Sequence, residues 1–245
     1  MAKRKSAGTG LGKLPEWDLV DLYPATDAKQ LTRDLTRAER DARGFHRRYF
    51  GKVAKLDGNA LGKAVAAFEK IDELLSGIMS YAQLVHAGDV ADPEIGRFYQ
   101  TTQEKVTAIA AHLVFFTLEI NKIGERALAQ KLKSKALAHY ASWIRDTRAV
   151  RAHQLDEEKE RLLHEKRVTG RAAWNRLFDE TMARLRFPID GKKLTTEEVL
   201  HRLSDTDPAT RKAAAKAFGK GLGDNVPLFG LITNTLAKDK EIEDR

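Results

Sequence analysis

The sequence predicts a mainly α-helical fold: an antiparallel helical bundle with additional helices and one small β-hairpin near Leu185–Thr195. Two features of the composition favour helices, because 42% of the residues are hydrophobic and 32% are charged, while only 6 of 245 are proline. Apolar residues also recur at spacings of three and four over long stretches, the period of a helix face. A chain of this length buries enough surface for a sizeable core.

The first elements are a turn segment and two long helices. Residues 15–24 end at Pro24 and predict an extended or turn segment. In the helix that follows, the apolar residues share one face; they are Leu31, Leu35, Ala38, Ala42, Phe45 and Tyr49. A second helix is predicted roughly from Ala60 to His86, ending near Gly88. Its predicted buried residues are Leu61, Val65, Phe68, Leu75 and Met79.

The third helix has a well-defined predicted start, because Asp92 caps the free amides and Pro93 occupies the first helical position. Its apolar residues follow a sevenfold period; they are Ile95, Thr102, Val106, Ile109, Leu113, Phe116 and Ile120. This period predicts that the three helices pack as an antiparallel bundle over a shared seam.

Shorter elements are predicted after the bundle. The predicted helices are Ser134 to Arg148, Asp156 to Arg167, Arg171 to Leu185, and a last one from Pro227 toward Arg245. Asp190-Gly191 supplies the positive φ angles of a tight turn, which predicts the hairpin, and Pro188 restricts it to an edge position. Thr195 with Glu198 predicts a capping box, and Asp207-Pro208 predicts another helix start.

Composition also limits the function classes. The chain has no cysteine, so thiolate metal sites and cysteine nucleophiles are excluded, and any metal must be held by His, Asp or Glu. The N-terminus has no signal-peptide core, and the longest apolar stretch, around Ile109–Leu118, is shorter than the about 20 residues that a bilayer requires. We therefore expect a cytoplasmic protein with no membrane partner.

The net charge of +8 raises the question of a nucleic-acid partner. A basic stripe is possible on the first helix, formed by Arg33, Arg37, Arg40, Arg43, Arg47 and Arg48. Asp34, Glu39 and Asp41 are interleaved with it, and aromatic residues make up only 7% of the chain. This pattern favours a solvated helix face over nucleic-acid binding.

Two partial motifs do not complete a site. The segment 8–13 hints at a phosphate loop, but its spacing is short and Leu14 replaces the required Ser or Thr. His164-Glu165 begins the zinc motif HExxH, yet Val168 stands where the second histidine is needed, which favours an exposed helix face. His86 and His112 have the setting of packed imidazoles. We therefore predict no catalytic, cofactor-binding or metal-binding residue in this sequence.

Several segments, in order along the chain, resemble the N-terminal portion of the oligoendopeptidase F family, which are thimet-oligopeptidase-like zinc metallopeptidases. The earlier segments are Trp17–Pro24, Ser80–Leu84 and Asp89–Pro93. The later ones are Tyr140–Ile144 with Arg148, His153–Leu155, Glu158–Leu163, then Gly170, Ala173-Trp174, Leu177 and Asp179-Glu180, and finally the hairpin.

This resemblance implies the channel-wall part of a zinc metalloendopeptidase that hydrolyses oligopeptides, a proteolytic hydrolase of the cytoplasm. The zinc-bearing catalytic half, with its HExxH motif, has no counterpart in this sequence, so the chain is expected to be inactive alone and to have that half as a partner. The expected parts are residues 1–14, a flexible basic and glycine-rich tail; residues 15–124, an N-terminal helical bundle; and residues 125–245, a helical region with the hairpin that starts the peptidase domain and is apparently truncated. The alternatives are a non-catalytic helical module that binds peptides or proteins and, less favoured, a basic nucleic-acid binder.

Overall fold

A computed structural model describes residues 17–244. The described part begins with four helices: α1 (Lys29–Tyr49), α2 (Gly58–Gly88), α3 (Pro93–Ala111) and α4 (Val114–Asn121). Five more follow: α5 (Glu125–Lys131), α6 (Lys135–Ala138), α7 (Ala141–Ala149), α8 (Glu157–Lys166) and α9 (Arg171–Arg184). The chain then forms β1 (Phe187–Ile189), β2 (Lys192–Leu194), α10 (Thr196–Leu203), α11 (Pro208–Gly223) and α12 (Val226–Glu243). The predicted mainly α fold with one small hairpin is confirmed.

The bundle is formed by α1, α2 and α3, with α2 packed against both neighbours. The predicted face of α1 is buried at every position except Leu35, which is half-buried. Asp92 accepts hydrogen bonds from the amides of Glu94 and Ile95, as predicted for the start of α3. Chain direction alternates from α1 to α2 to α3, so α1 and α3 run the same way and leave a furrow between them.

An aromatic cluster occupies the centre of the bundle core. The Phe45 ring lies 4.9 Å from that of Phe116 and 6.2 Å from that of Phe68, measured between centroids. Trp143 of α7 packs on Phe68 at 5.7 Å, so the core extends beyond the three long helices. Phe116 is fully buried. Rings of this size contribute most to burial energy, which makes this cluster the main source of the bundle's stability.

The third helix differs from its prediction, because it breaks at His112-Leu113 instead of continuing to Ile120. The amides of these two residues bond to the carbonyls of Ile109 and Ala110, three residues back, which tightens the helix end. The next helix, α4, is buried almost all round and therefore has no apolar stripe from which a break could be read. Likewise, the helix predicted over Ser134 to Arg148 is two helices, α6 and α7.

Helix α6 approaches α2 closely at Gly62. A Cβ atom at this position would lie 2.6 Å from the carbonyl carbon of Ala136 and 2.7 Å from its oxygen, closer than any side chain tolerates. Gly62 is itself buried. The glycine therefore allows the backbones of α2 and α6 to touch, which closes this side of the core.

The hairpin forms as predicted, with Asp190 at φ 51° and Gly191 at φ 75°. Phe187 pairs with Leu194 across the two strands, and both pack on Ala214 of α11 in a small second core. The capping box of Thr195 and Glu198 is present, and Asp207 caps α11. These local signals need little tertiary support, so they were readable from sequence.

The predicted N-terminal tail and the predicted domain boundary are not tested by the structure. The tail predicted over residues 1–14, with the glycine-rich segment 8–13, lies outside the described residues. The boundary predicted between 15–124 and 125–245 stays a prediction.

Within residues 17–244, no single helix is long and apolar enough to cross a membrane. The helical stretches 93–121 and 125–131 meet that criterion only together, and they are bent by 105° relative to each other.

Candidate functional site

The half-motif His164-Glu165 lies on α8, which packs against α3. The Nε2 atom of His164 is 3.2 Å from the backbone oxygen of Thr107, and the ring is half-buried. Burial lowers the pKa of His164, and the hydrogen bond to Thr107 partly opposes this. The prediction of an exposed helix face therefore holds for Glu165 and is wrong for His164.

These residues do not fit a zinc ion. The Nε2 atom of His164 already contacts the Thr107 carbonyl oxygen, and the Val168 side chain has no atom that could bind a metal. Among residues 17–244, no group of three or more His, Asp or Glu side chains could hold a metal. The prediction that this chain contains no catalytic or metal-binding residue remains a prediction, and no chemical step through zinc is assigned to these residues.

The other singled-out histidines are packed. His86 is buried, and its ring stacks on that of Tyr99 with 4.7 Å between centroids. His112 is half-buried beside His46, 6.1 Å between ring centroids. Burial is the main cause that lowers the pKa of His112, and the nearby Arg43 adds to it. Both imidazoles thus serve packing, as their sequence setting indicated.

A furrow runs between α1 and α3 along the bundle. Two adjoining cavities of about 390 and 410 Å³ follow it, and they share the residues Thr32, Leu35 and Lys105. Residues near the start of α1 face residues near the start of α3, and residues farther along the two helices face each other as well. The furrow therefore runs along both helices. Its walls combine apolar side chains and threonine hydroxyls with charged residues, a mixture that a polypeptide ligand can contact. The charged residues are Glu39, Arg43, Glu94, Arg97 and Lys105.

At the carboxyl ends of α1 and α3 the furrow opens into a wider cleft of about 630 Å³, closed on its far side by α8. Ala108 and His112 line both the furrow and the cleft, so the two are continuous. The cleft is also lined by charged side chains; they are Glu104, Glu157, Glu158, Glu165 and Arg161. We refer to these surfaces below as the furrow and the cleft. Sequence periodicity did not identify either, since the furrow depends on how α1 packs beside α3 and the cleft on how α8 crosses α3.

Three of the six arginines in the basic stripe predicted on α1 are paired with acidic residues. Arg37 pairs with Asp34, and Arg43 pairs with Glu39 at 2.8 Å. Arg40 contacts Asp41 at 2.9 Å. Interleaved acids therefore pair with the stripe, as expected for a solvated helix face.

Residues from the segments that carried the family resemblance contact one another. Tyr23 and Tyr81, from two different segments, are both buried and lie 5.2 Å apart between ring centroids. Tyr23 donates a hydrogen bond to Asp34 Oδ2 at 3.1 Å, and burial with this bond raises its pKa to about 12. These residues hold the turn segment on the bundle.

A second group from those segments fixes the chain after α7. The Arg148 guanidinium, almost fully buried, donates to the Ile120 carbonyl at 2.8 Å and to Glu125 at 2.7 Å. Gln154 accepts a hydrogen bond from the amide of Asn121 at 2.9 Å. Their role is structural, because they tie the end of α4 to the segment that leads into α8.

Comparison with known proteins supports the family resemblance that these segments indicated. A family model described as "Oligopeptidase F" matches residues 119–187, which contain the Arg148 and Gln154 contacts. The resemblance to the oligopeptidase F family is confirmed. No curated protein matches the sequence.

Among solved structures, oligoendopeptidase-F from Enterococcus faecium has the same fold as this chain, with a TM-score of 0.73 at 20% identity. The similarity covers 87% of this chain and 41% of that protein, so the chain spans less than half of its length. A candidate peptidase from Chlamydophila abortus gives a TM-score of 0.49 at 17% identity over 89% of this chain and 38% of that one. The fold is therefore that of the N-terminal portion of an oligopeptidase F.

Proposed function

We propose that this chain forms the N-terminal channel wall of a cytoplasmic zinc metalloendopeptidase that hydrolyses oligopeptides. The match of residues 119–187 to oligopeptidase F carries the proposal, and the shared fold with the Enterococcus faecium protein supports it. The sequence contains no HExxH motif, so zinc and the general base would be held by a further part of the enzyme. The role of this chain is then to admit and position the peptide.

The exposed apolar residues of the later helices support the idea of such a further part. Leu163 is 41% exposed, Phe178 is 42% exposed and Leu231 is 55% exposed, on α8, α9 and α12 respectively. Exposed apolar side chains on neighbouring elements are typical of surfaces that another protein segment covers. The proposed occupant is the zinc-bearing half, which is the partner of this chain.

Two samples assayed side by side test the proposal. An antibody against this chain captures the native species from its source cells, and purified residues 1–245 serve as the second sample. We expect the captured species to cleave a quenched fluorescent oligopeptide in a chelator-sensitive way and the purified chain to cleave nothing, with or without zinc. The oligoendopeptidase-F from Enterococcus faecium is the positive control.

Mass spectrometry of the captured species makes the result decisive. A mass more than about twice that of the chain is expected, because a catalytic domain adds another core's worth of sequence. Chelator-sensitive cleavage by purified residues 1–245 would contradict the assignment of catalysis to a further part. A captured species of 27.5 kDa without peptidase activity would favour a non-catalytic interaction module instead.

A further inference from the structure

We infer that the furrow and the cleft bind one extended oligopeptide and that the cleft accepts a lysine or arginine side chain of that peptide. This inference rests on the proposed function, which makes peptides the ligands of this wall. It adds a preference for basic peptides and assigns it to carboxylates between α3 and α8. The length of the furrow and the charges of the cleft support it.

The furrow has the dimensions of a peptide site. Helix α3 contains 19 residues, which corresponds to about 28 Å at the rise of an α-helix. An extended peptide advances about 3.3 Å per residue, so about eight residues would fit along it. Leu35, Ile95 and Phe98 provide apolar contacts, and Thr32, Thr36 and Thr101 bring hydroxyl groups to the same walls.

The cleft carries an excess of negative charge. Four glutamates line it, and Arg161 is the one Lys or Arg side chain among its lining residues. Among residues 17–244, none of these five side chains has an ion-pair partner within 4.0 Å, whereas Glu39 in the neighbouring furrow is paired with Arg43. Burial lowers the pKa of His112, which disfavours a positive charge on this imidazole. A cationic side chain would complement these carboxylates.

Helix stability does not account for all four glutamates. Glu157 and Glu158 lie in the first turn of α8, where the helix dipole favours acidic residues. Glu165, however, lies in the last turn of α8, where a negative charge opposes the dipole, and Glu104 is within α3 and accepts one hydrogen bond from Gln100. The two unexplained carboxylates, Glu104 and Glu165, are therefore the ones we assign to the ligand.

The test compares two fluorescent eight-residue peptides that are identical except for one central position, lysine in one and norleucine in the other. Binding to purified residues 1–245 is measured by fluorescence anisotropy at pH 7.5 and low salt. We expect the lysine peptide to bind about fivefold more tightly, as two partly screened charge contacts would give, and added salt to reduce the difference. The double variant Glu104→Gln/Glu165→Gln should abolish this preference, whereas Glu73→Gln, exposed on α2, should retain it.

A blocking variant tests the location. Ala108 is exposed and lines both the furrow and the cleft, so Ala108→Trp should weaken binding of both peptides, whereas Ala87→Trp on α2 should not. Circular dichroism checks that each variant is folded. Equal affinity for both peptides, or a lysine preference that survives the double variant, overturns the inference and leaves peptide binding by the wall intact. Unweakened binding of both peptides to Ala108→Trp also overturns it, because the peptide would then bind outside the furrow and the cleft. Absence of binding by either peptide to the folded chain overturns the inference and also counts against the proposed function.

Discussion

Residues 17–149, which comprise the bundle and helices α4 to α7, differ from the helices that follow them in how they are stabilised. Of the eleven largest fully buried side chains, nine lie in residues 17–149 and only Phe187 and Val199 lie beyond them. Helices α8 and α9 have no buried residue, and α12 has only Ile232. The later region therefore depends on the small core under the hairpin and on contacts such as His164 with Thr107.

Residues 17–149 are stabilised by their own buried core, whereas the later helices are suited to packing against another protein segment. A buried aromatic core stabilises the bundle without help, and such elements open only with global unfolding. Elements with few buried apolar contacts open at lower free energy. We therefore expect the later helices to exchange their amide hydrogens faster than α2, and to become protected when the proposed partner half covers them.

The largest expected effect comes from removing a ring in each region. Phe116→Ala deletes a fully buried ring of the aromatic cluster and should reduce the free energy of unfolding by about 3–5 kcal/mol. Phe178→Ala removes a ring that is 42% exposed and contacts Phe229, and should cost about 1 kcal/mol or less. Urea unfolding of both variants measures the comparison. Equal losses would show that the two regions are equally dependent on their own packing.

The features that the sequence predicted correctly are local patterns, whereas those that it missed depend on packing between distant elements. The face of α1, the start of α3, the hairpin turn and the capping box are local patterns, and each is present as predicted. The break after α3 was not predictable, because α4 is buried on all sides and lacks a stripe. The furrow depends on the packing of α1 beside α3 and the cleft on the crossing of α8 over α3, and no local pattern corresponds to either. The exposed setting predicted for His164 failed for the same reason.

A smaller effect is expected from a matched pair of glycines. Gly62→Ala places a methyl group against the backbone of Ala136, and should destabilise the bundle by about 1–3 kcal/mol as an overpacked core does. Gly230 lies within α12, where a Cβ would meet nothing within 4 Å, so Gly230→Ala should stabilise that helix by about 0.5–1 kcal/mol. Thermal unfolding followed by circular dichroism measures both. Opposite signs would confirm close backbone contact at Gly62 and open space at Gly230, whereas a stabilised Gly62→Ala variant would contradict the contact between α2 and α6.

The smallest effect concerns the junction where the two regions meet. Burial lowers the pKa of His164, and the nearby Arg167 lowers it further while Glu165 and the Thr107 carbonyl raise it. Because the folded chain then binds the proton less readily than the unfolded chain, this site contributes its full stability above the unfolded pKa of about 6.5. That contribution is lost as the pH falls through this value toward the lower folded pKa. The urea midpoint should therefore drop less between pH 7.5 and 5.5 for His164→Gln than for the wild type. The variant His139→Gln, at an exposed position, should behave as the wild type does. If all three proteins lose the same stability over this range, the imidazole of His164 does not hold α8 on α3, and other contacts must join the two regions, such as the hydrogen bond from Arg176 of α9 to Gln100 of α3 at 2.9 Å.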